Sequence, residues 1–415
     1  MARLSCSTQI LVAVIILSVV ILFTSCGGVA TTPQASAGGT NTSGGSSGSS
    51  GSGTGTGTSS STAGSYGAGT GASGQSTAAQ FLYAAQVPNG GPIGGKINQD
   101  GTLGIIKNPS VTNANNPMVL AIDPCGTYLY ETSQNGIWAY TINRQSGELT
   151  EITGSPYDGS QSFVSITVDQ LGKFVYATGS TGVWGYTIGA GGQLQAIAGS
   201  PFPTATPSNQ FGPSNNLAID ENDKFLYVTA TPGIFAFTID AATGALTTIA
   251  GSPFKAGNAP LSLVVTPSNK FLYETNLNDP TTYGYTIDQT TGILAEISGS
   301  PFTTLSGVSP LADNMTIPTQ GKFLYIANRG TFSIDPNTGA LARTSSFIPG
   351  DWPVINPTGN FLWAITTDQN CWHCDIGVSA YTVDPNTGNL TLVPNSFFIM
   401  NNSFSGAVVS LAITK

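Results

Sequence analysis

An aromatic, an aliphatic and a second aromatic residue occur together seven times along this chain. The triplets are Phe81-Leu82-Tyr83, Tyr128-Leu129-Tyr130, Phe174-Val175-Tyr176, Phe225-Leu226-Tyr227, Phe271-Leu272-Tyr273, Phe323-Leu324-Tyr325 and Phe361-Leu362-Trp363. Their last residues stand 47, 46, 51, 46, 52 and 38 positions apart. That period fits one four-stranded antiparallel blade per unit, so seven units predict an all-β, seven-bladed β-propeller. Each triplet is followed by a second strand pattern and a Gly-bearing turn: Asn98 to Gly101, Asn143 to Gly147, Gly189 to Gly192, Asp240 to Gly244, Asp288 to Gly292, Asp335 to Gly339 and Asp384 to Gly388. Asp or Asn opens such a turn by bonding the backbone two residues on, and Gly closes it where the chain needs a positive φ. Four units end in Gly-Ser-Pro-aromatic, at Gly154, Gly199, Gly251 and Gly299, where Pro stops the strand and the aromatic is expected to wedge between blades.

The ends of the repeat region complement each other. An apolar strand precedes six of the triplets, as in Val119 to Asp123, but only low-complexity sequence precedes Phe81. The missing strand is expected at the far end, where Ala407 to Thr414 has the right pattern and would close the ring and remove its free edges. Composition agrees: charged residues make up 8% of the chain, with 52 Gly, 25 Pro and no long stretch at helical period beyond the N-terminus. Residues 80–415 read as one domain. A formal charge of -9 with scattered Lys and Arg argues against nucleic acid as a partner.

The N-terminus points to export. Residues 1–25 read as a signal peptide, with Arg3 ahead of an apolar run from Ile10 to Phe23 that is short for a membrane span. Small residues directly before Cys26 resemble a bacterial lipobox, which makes Cys26 the expected lipidation site and membrane contact a matter of that anchor alone. Phe23 departs from the Leu usual in such a box. Gly27, by the same analogy, favours the outer membrane or cell surface. From Gly27 to Gln80 the sequence is nearly all Gly, Ser, Thr and Ala without a charge, a composition expected to stay disordered. As a flexible tether it would reach on the order of 40 Å. The domains are thus 1–25 signal, 26–79 lipidated Cys and linker, and 80–415 propeller.

Three cysteines remain beyond the leader. Strand order puts Cys125 on one face of the ring and Cys371 and Cys374 on the other, so Cys125 is not expected to pair with either. Cys371-Trp372-His373-Cys374 has the spacing of a redox or metal motif, but a hairpin tip does not lower a thiol pKa as a helix N-terminus does, and a local Cys371–Cys374 disulfide is the plainer expectation in an oxidising compartment. Only His373, Asp368 and Asp375 stand near enough in sequence to complete a metal site, which normally takes about four ligands, so no metal and no other cofactor is expected.

The Asp-Pro-x-Gly or Pro-Ser-Asn-Lys turn, the Phe-Leu-Tyr strand, Tyr-Thr-Ile-Asp and Thr-Gly-x-Leu together resemble the lactonase-like seven-bladed propellers related to bacterial 6-phosphogluconolactonase and to YVTN-type surface repeats, over all of residues 80–415. The resemblance implies the fold more strongly than the activity. It also implies that enzymes of the family hold a carboxylate or phosphate with His, Arg and Glu at the channel mouth and activate water there. This chain has one His, and beyond the signal only Arg144, Arg329 and Arg343. Arg329 is the arginine expected on the loop face, as a thin anion clamp or a solvated side chain, with Lys255 as a second positive charge.

Glu131 and Glu274 interrupt otherwise apolar second strands, which suggests either a general base of raised pKa or a hydrogen-bonded structural carboxylate. The other rim candidates are Asn116, Asn216, Asn314, Asp158, Asp313, Asp351, Trp352 and Trp372. They make an acidic to neutral mouth suited to a glycan or a cation. Three functions are compatible with these residues. The preferred one is an envelope-tethered, monomeric propeller that binds a protein or glycan without chemistry. The second is a lactone hydrolase acting on a sugar or related lactone, with Arg329 and Glu131, Glu274 or a rim Asp converging on the mouth. The third is a redox or metal-handling protein centred on Cys371 to Cys374.

Overall fold

The computed structural model describes residues 79–87, 91–106, 116–204, 216–277, 279–304, 314–344, 350–367, 376–399 and 407–415. They form seven antiparallel sheets, and no described residue is helical. In blade two the strands run outward as Leu120–Ile122, Tyr128–Ser133, Gly136–Ile142 and Leu149–Glu151. Every triplet lies on the second strand of its blade. Blade one takes its innermost strand from the other end of the chain: Ala407–Ile413 pairs with Phe81–Val87, from Leu82 opposite Ile413 to Val87 opposite Ala407.

The closing joint copies a turn used inside other blades. In blade three Asp169 Oδ1 accepts the N–H groups of Lys173 and Phe174 at 2.6 and 2.8 Å, and in blade four Asp220 Oδ1 accepts those of Lys224 and Phe225, both at 2.7 Å. Each carboxylate thereby fixes the start of the second strand against the end of the first. In blade one Thr414 takes this place without a covalent turn. Its Oγ1 accepts the Phe81 N–H at 2.8 Å, and its own N–H donates to the Phe81 carbonyl at 2.9 Å.

The two most regular features of the sequence prove to be halves of one contact between neighbouring blades. The last residue of each triplet donates to the carbonyl of the turn glycine in the next blade: Tyr83 to Gly147 at 2.7 Å, Tyr130 to Gly192 at 3.0 Å, Tyr176 to Gly244 at 2.7 Å, Tyr227 to Gly292 at 3.0 Å, Tyr273 to Gly339 at 2.7 Å and Tyr325 to Gly388 at 3.2 Å. Trp363 Nε1 completes the circle on Gly101 at 2.9 Å. The first aromatic of the triplet packs against the same glycine. At Gly244, where φ is +73°, an added Cβ would stand 2.5 Å from Phe174 Cδ1, so both backbone and packing demand Gly. Gly244→Ala is therefore expected to lower stability by about 2 kcal/mol, seen as a fall in Tm without loss of the strand signature in circular dichroism.

The Gly-Ser-Pro-aromatic segments make two joints. Phe202, Phe254 and Phe302 pack into the apolar clusters shared with the next blade, as expected. The serines tie each segment to its own blade: Ser155, Ser200, Ser252 and Ser300 Oγ accept third-strand N–H groups at 3.0 to 3.1 Å. Phe202, Phe254 and Phe302 then open two-residue strands beside the third strand of their own blade. An N–H beyond the short outermost strand would otherwise lack an acceptor, and these additions supply it.

Candidate functional site

The hairpins between second and third strands, and the connections from each outermost strand to the next innermost one, lie on one face of the ring. Arg329 is on that face, in the hairpin of blade six, but it is only 2% exposed. Its Nη1 donates to the Thr281 carbonyl at 2.9 Å and to Thr304 Oγ1 at 3.0 Å, and Nη2 donates to the carbonyls of Asn276 and Asp279 at 3.2 and 2.6 Å. The forked guanidinium thereby ties together three carbonyls at the hairpin of blade five. An open anion clamp at Arg329 is thus replaced by an interblade staple. Arg343 braces it, donating to the Arg329 and Thr304 carbonyls at 2.8 and 3.2 Å with its guanidinium 5.7 Å from the Phe332 ring centre. Arg329→Ala should cost about 2 kcal/mol through the orphaned carbonyls, and Lys at that position should restore little, because an ammonium has no fork. Thermal melts of the two variants check this.

Lys255 lies in the two-residue strand Phe254–Lys255, with Nζ 3.6 Å from Glu296 Oε2. Glu296 ends the outermost strand Leu294–Glu296 of blade five, so this charge belongs to the periphery rather than the axial mouth.

Glu131 and Glu274 are both 0% exposed, in blades two and five. Each accepts from a tyrosine on the third strand of its own blade: Tyr140 to Glu131 Oε2 at 3.1 Å, and Tyr285 to Glu274 Oε2 at 3.2 Å. The Gly257 N–H adds a bond to Glu274 at 3.3 Å. Burial pushes each carboxyl up to about 8, against the smaller opposing effect of these donors. Blade three meets the same demand differently, with Tyr186 donating to Asp158 Oδ2 at 2.6 Å. Where the third-strand position is Phe237 or Phe332, the second strand carries Val228 or Ile326 instead. The glutamates therefore accompany buried tyrosine hydroxyls. They do not meet each other and are not open to a substrate, which makes them structural carboxylates rather than a catalytic pair. The tyrosine two residues beyond the cross-strand partner is the signal that reveals this role.

At the mouth, Asn216 is buried and accepts from Thr178 Oγ1 at 3.0 Å, while Asn314 is buried with its carbonyl accepting the Ala327 N–H at 2.9 Å. Asn116 is half-buried with a left-handed φ of 48°. Trp352 is 3% exposed and its indole donates to the Leu411 carbonyl at 3.0 Å, so it is no platform for a sugar. Asp351 opens the innermost strand Asp351–Ile355 of blade seven and is half-buried. Its Oδ1 accepts from Asn328 Nδ2 at 2.5 Å, across from the hairpin of blade six. Burial raises the Asp351 carboxyl above its ordinary range, and the Asn328 bond opposes that rise. Asn328, in the left-handed region at φ 57°, is a mouth residue that charge-based reading of the sequence passed over.

Asp313, Trp372, Cys371, Cys374, His373, Asp368 and Asp375 lie outside the described residues, as do Cys26, the leader and nearly all of the linker. Among the described residues, no group of three His, Cys, Asp or Glu is placed to hold a metal ion. Cys125, expected not to pair with Cys371 or Cys374, is disulfide-bonded, and its partner lies outside the described residues.

These features define a closed seven-bladed propeller with amides and carboxylates at one axial mouth. The chain belongs to the family described as lactonase, 7-bladed beta-propeller, whose model matches residues 95–403. It is 27% identical over 310 residues to the 6-phosphogluconolactonase of Bacillus subtilis strain 168, covering 68% of this chain and 84% of that protein. Among solved structures it resembles a putative 6-phosphogluconolactonase from Bacteroides uniformis with a TM-score of 0.65 at 18% identity, covering 81% of this chain and 100% of that one. The periplasmic gluconolactonase PpgL of Pseudomonas aeruginosa is similar at a TM-score of 0.60 and 16% identity, covering 82% of this chain and 99% of that one.

Proposed function

We propose that this propeller receives an uncharged, hydroxyl-rich ligand, a sugar lactone or a glycan unit, at its loop-face mouth. One observation carries the reading. Arg329 and Arg343, which a phosphorylated substrate would need, are engaged by backbone carbonyls, while the partly exposed polar groups of the mouth include the amides of Asn116 and Asn328 and the carboxylates of Asp279 and Asp351. Amides and carboxylates bond hydroxyl groups well, and their net negative character disfavours an anionic sugar. A second reading, hydrolysis of such a lactone, is favoured by the similarity to a 6-phosphogluconolactonase. Export and tethering through Cys26 form part of the proposal, supported by the apolar run before it and the uncharged linker after it.

The test pairs calorimetric binding with turnover on a panel of sugar and aliphatic lactones, phosphorylated and not. Binding confined to uncharged members is the expected result. Preference for phosphorylated members would overturn the ligand class. Labelled fatty acid incorporated by the full chain and lost in Cys26→Ser checks the tether.

A further inference from the structure

We infer that Asp351 is the catalytic base of the mouth, acting on water, with Asn328 and Trp352 as its positioning residues. The inference rests on the hydrolase reading and gives it an atom-level site. Three constraints converge on this carboxylate. Asn328, from the neighbouring blade, fixes Oδ1. Trp352, the next residue, holds φ 49°, a left-handed conformation that is a genuine outlier for a bulky side chain. Such strain persists only where the surroundings over-determine it. Here the surroundings are a buried indole tied to Leu411 in the closing strand and a register shift between Asp351 and Val354. A bulge of this kind re-aims the side chain beside it. Among the described residues, the other carboxylates of this face have different duties: Glu131 and Glu274 are sealed against tyrosines, Asp158 is taken by Tyr186, and Asp279 Oδ1 accepts from the backbone N–H and the hydroxyl of Thr281. Asp351 keeps partial solvent contact where an innermost strand begins.

The chemistry closes without another reagent. The Asp351 carboxylate takes a proton from water as the water oxygen bonds to the lactone carbonyl carbon. The tetrahedral intermediate then collapses, breaking the bond to the ring oxygen. That oxygen takes the proton back from Asp351, leaving an open hydroxy acid and a regenerated carboxylate.

The experiment measures kcat and KM of the full chain on the uncharged lactones. Asp351→Asn should lower kcat by about 10²- to 10⁴-fold with KM little changed. Asn328→Ala, which leaves the base in place but loosens it, should lower kcat by about tenfold, again with little effect on KM. Equal turnover by wild type and Asp351→Asn overturns the role of Asp351 and leaves the hydrolase standing. Binding without turnover by wild type overturns hydrolase and base together while the binding function stands. If Asp351→Asn fails to fold, Asn328→Ala decides: a KM effect with unchanged kcat overturns the assignment.

Discussion

Removal of residues 407–415 is expected to leave the chain without a cooperative fold at 25 °C. Blade one would lose its innermost strand, and Phe81 to Ala85, all at most 1% exposed, would become an edge. The lost strand buries Val408 and Leu411 in the largest apolar cluster of the ring. Those two side chains alone are worth about 5 kcal/mol of burial. Deletion also strips the acceptors from the Phe81 N–H and the Trp352 indole. Set against a total stability of about 5–15 kcal/mol, these losses are decisive, and the bare edge would promote association. Leu411→Ala, which keeps the backbone ladder, should cost only about 3 kcal/mol and still fold. Size-exclusion chromatography and circular dichroism separate the cases. A truncated chain that is monomeric, with a native spectrum and a Tm within a few degrees of wild type, would show that the ring does not depend on its seam.

Glu131→Gln and Glu274→Gln should each stabilise the protein strongly in alkaline solution. Both carboxyls have their folded-state pKa raised from 4.5 to about 8 by burial, so the folded protein keeps protons that the unfolded chain has released. Stability from these sites is therefore fully present below pH 4.5 and lost as pH rises towards 8, levelling above it. Glutamine has the same shape, still accepts from Tyr140 or Tyr285, and does not titrate. Each substitution should be worth about 4 kcal/mol at pH 9 and within about 1 kcal/mol of neutral near pH 4. Denaturant melts across that range measure the difference. Wild-type and variant curves that stay parallel from pH 4 to 9 would mean the carboxyls titrate normally in the folded state.

The ring was legible in the sequence because its devices recur: seven triplets, seven turns and a C-terminal strand with no other partner. The bond that joins triplet to turn was not, since Tyr83 reaches Gly147, 64 residues on, and Tyr176 reaches Gly244, 68 residues on, and local pattern carries no information about such pairs. The site was harder still. Arg329 reads as an ordinary loop cation, yet its destination is a set of carbonyls 48 to 53 residues earlier that only the folded backbone brings together. Glu131 was closer to readable, because Tyr140 is nine residues away in the same hairpin and the register follows from the strand lengths. Asp351 had the right place on the rim, but nothing in its neighbourhood announced the left-handed turn at Trp352.

The strand that begins the propeller and the strand that ends it are partners across 333 residues, tied by Phe81 and Thr414. During synthesis the first blade emerges as a three-stranded fragment with a bare inner edge, and no later blade can repair it until residues 407–415 have left the ribosome. Folding to the closed ring therefore waits for the strand Ala407–Ile413, and the exposed edge is a hazard until that strand has been made. The same proximity makes the seam movable. Residues 81 and 413 are close enough to be spliced by a short peptide, and a gene opened instead at one of the exposed Asp-x-x-Thr-Gly turns should encode a circularly permuted protein with the same blades.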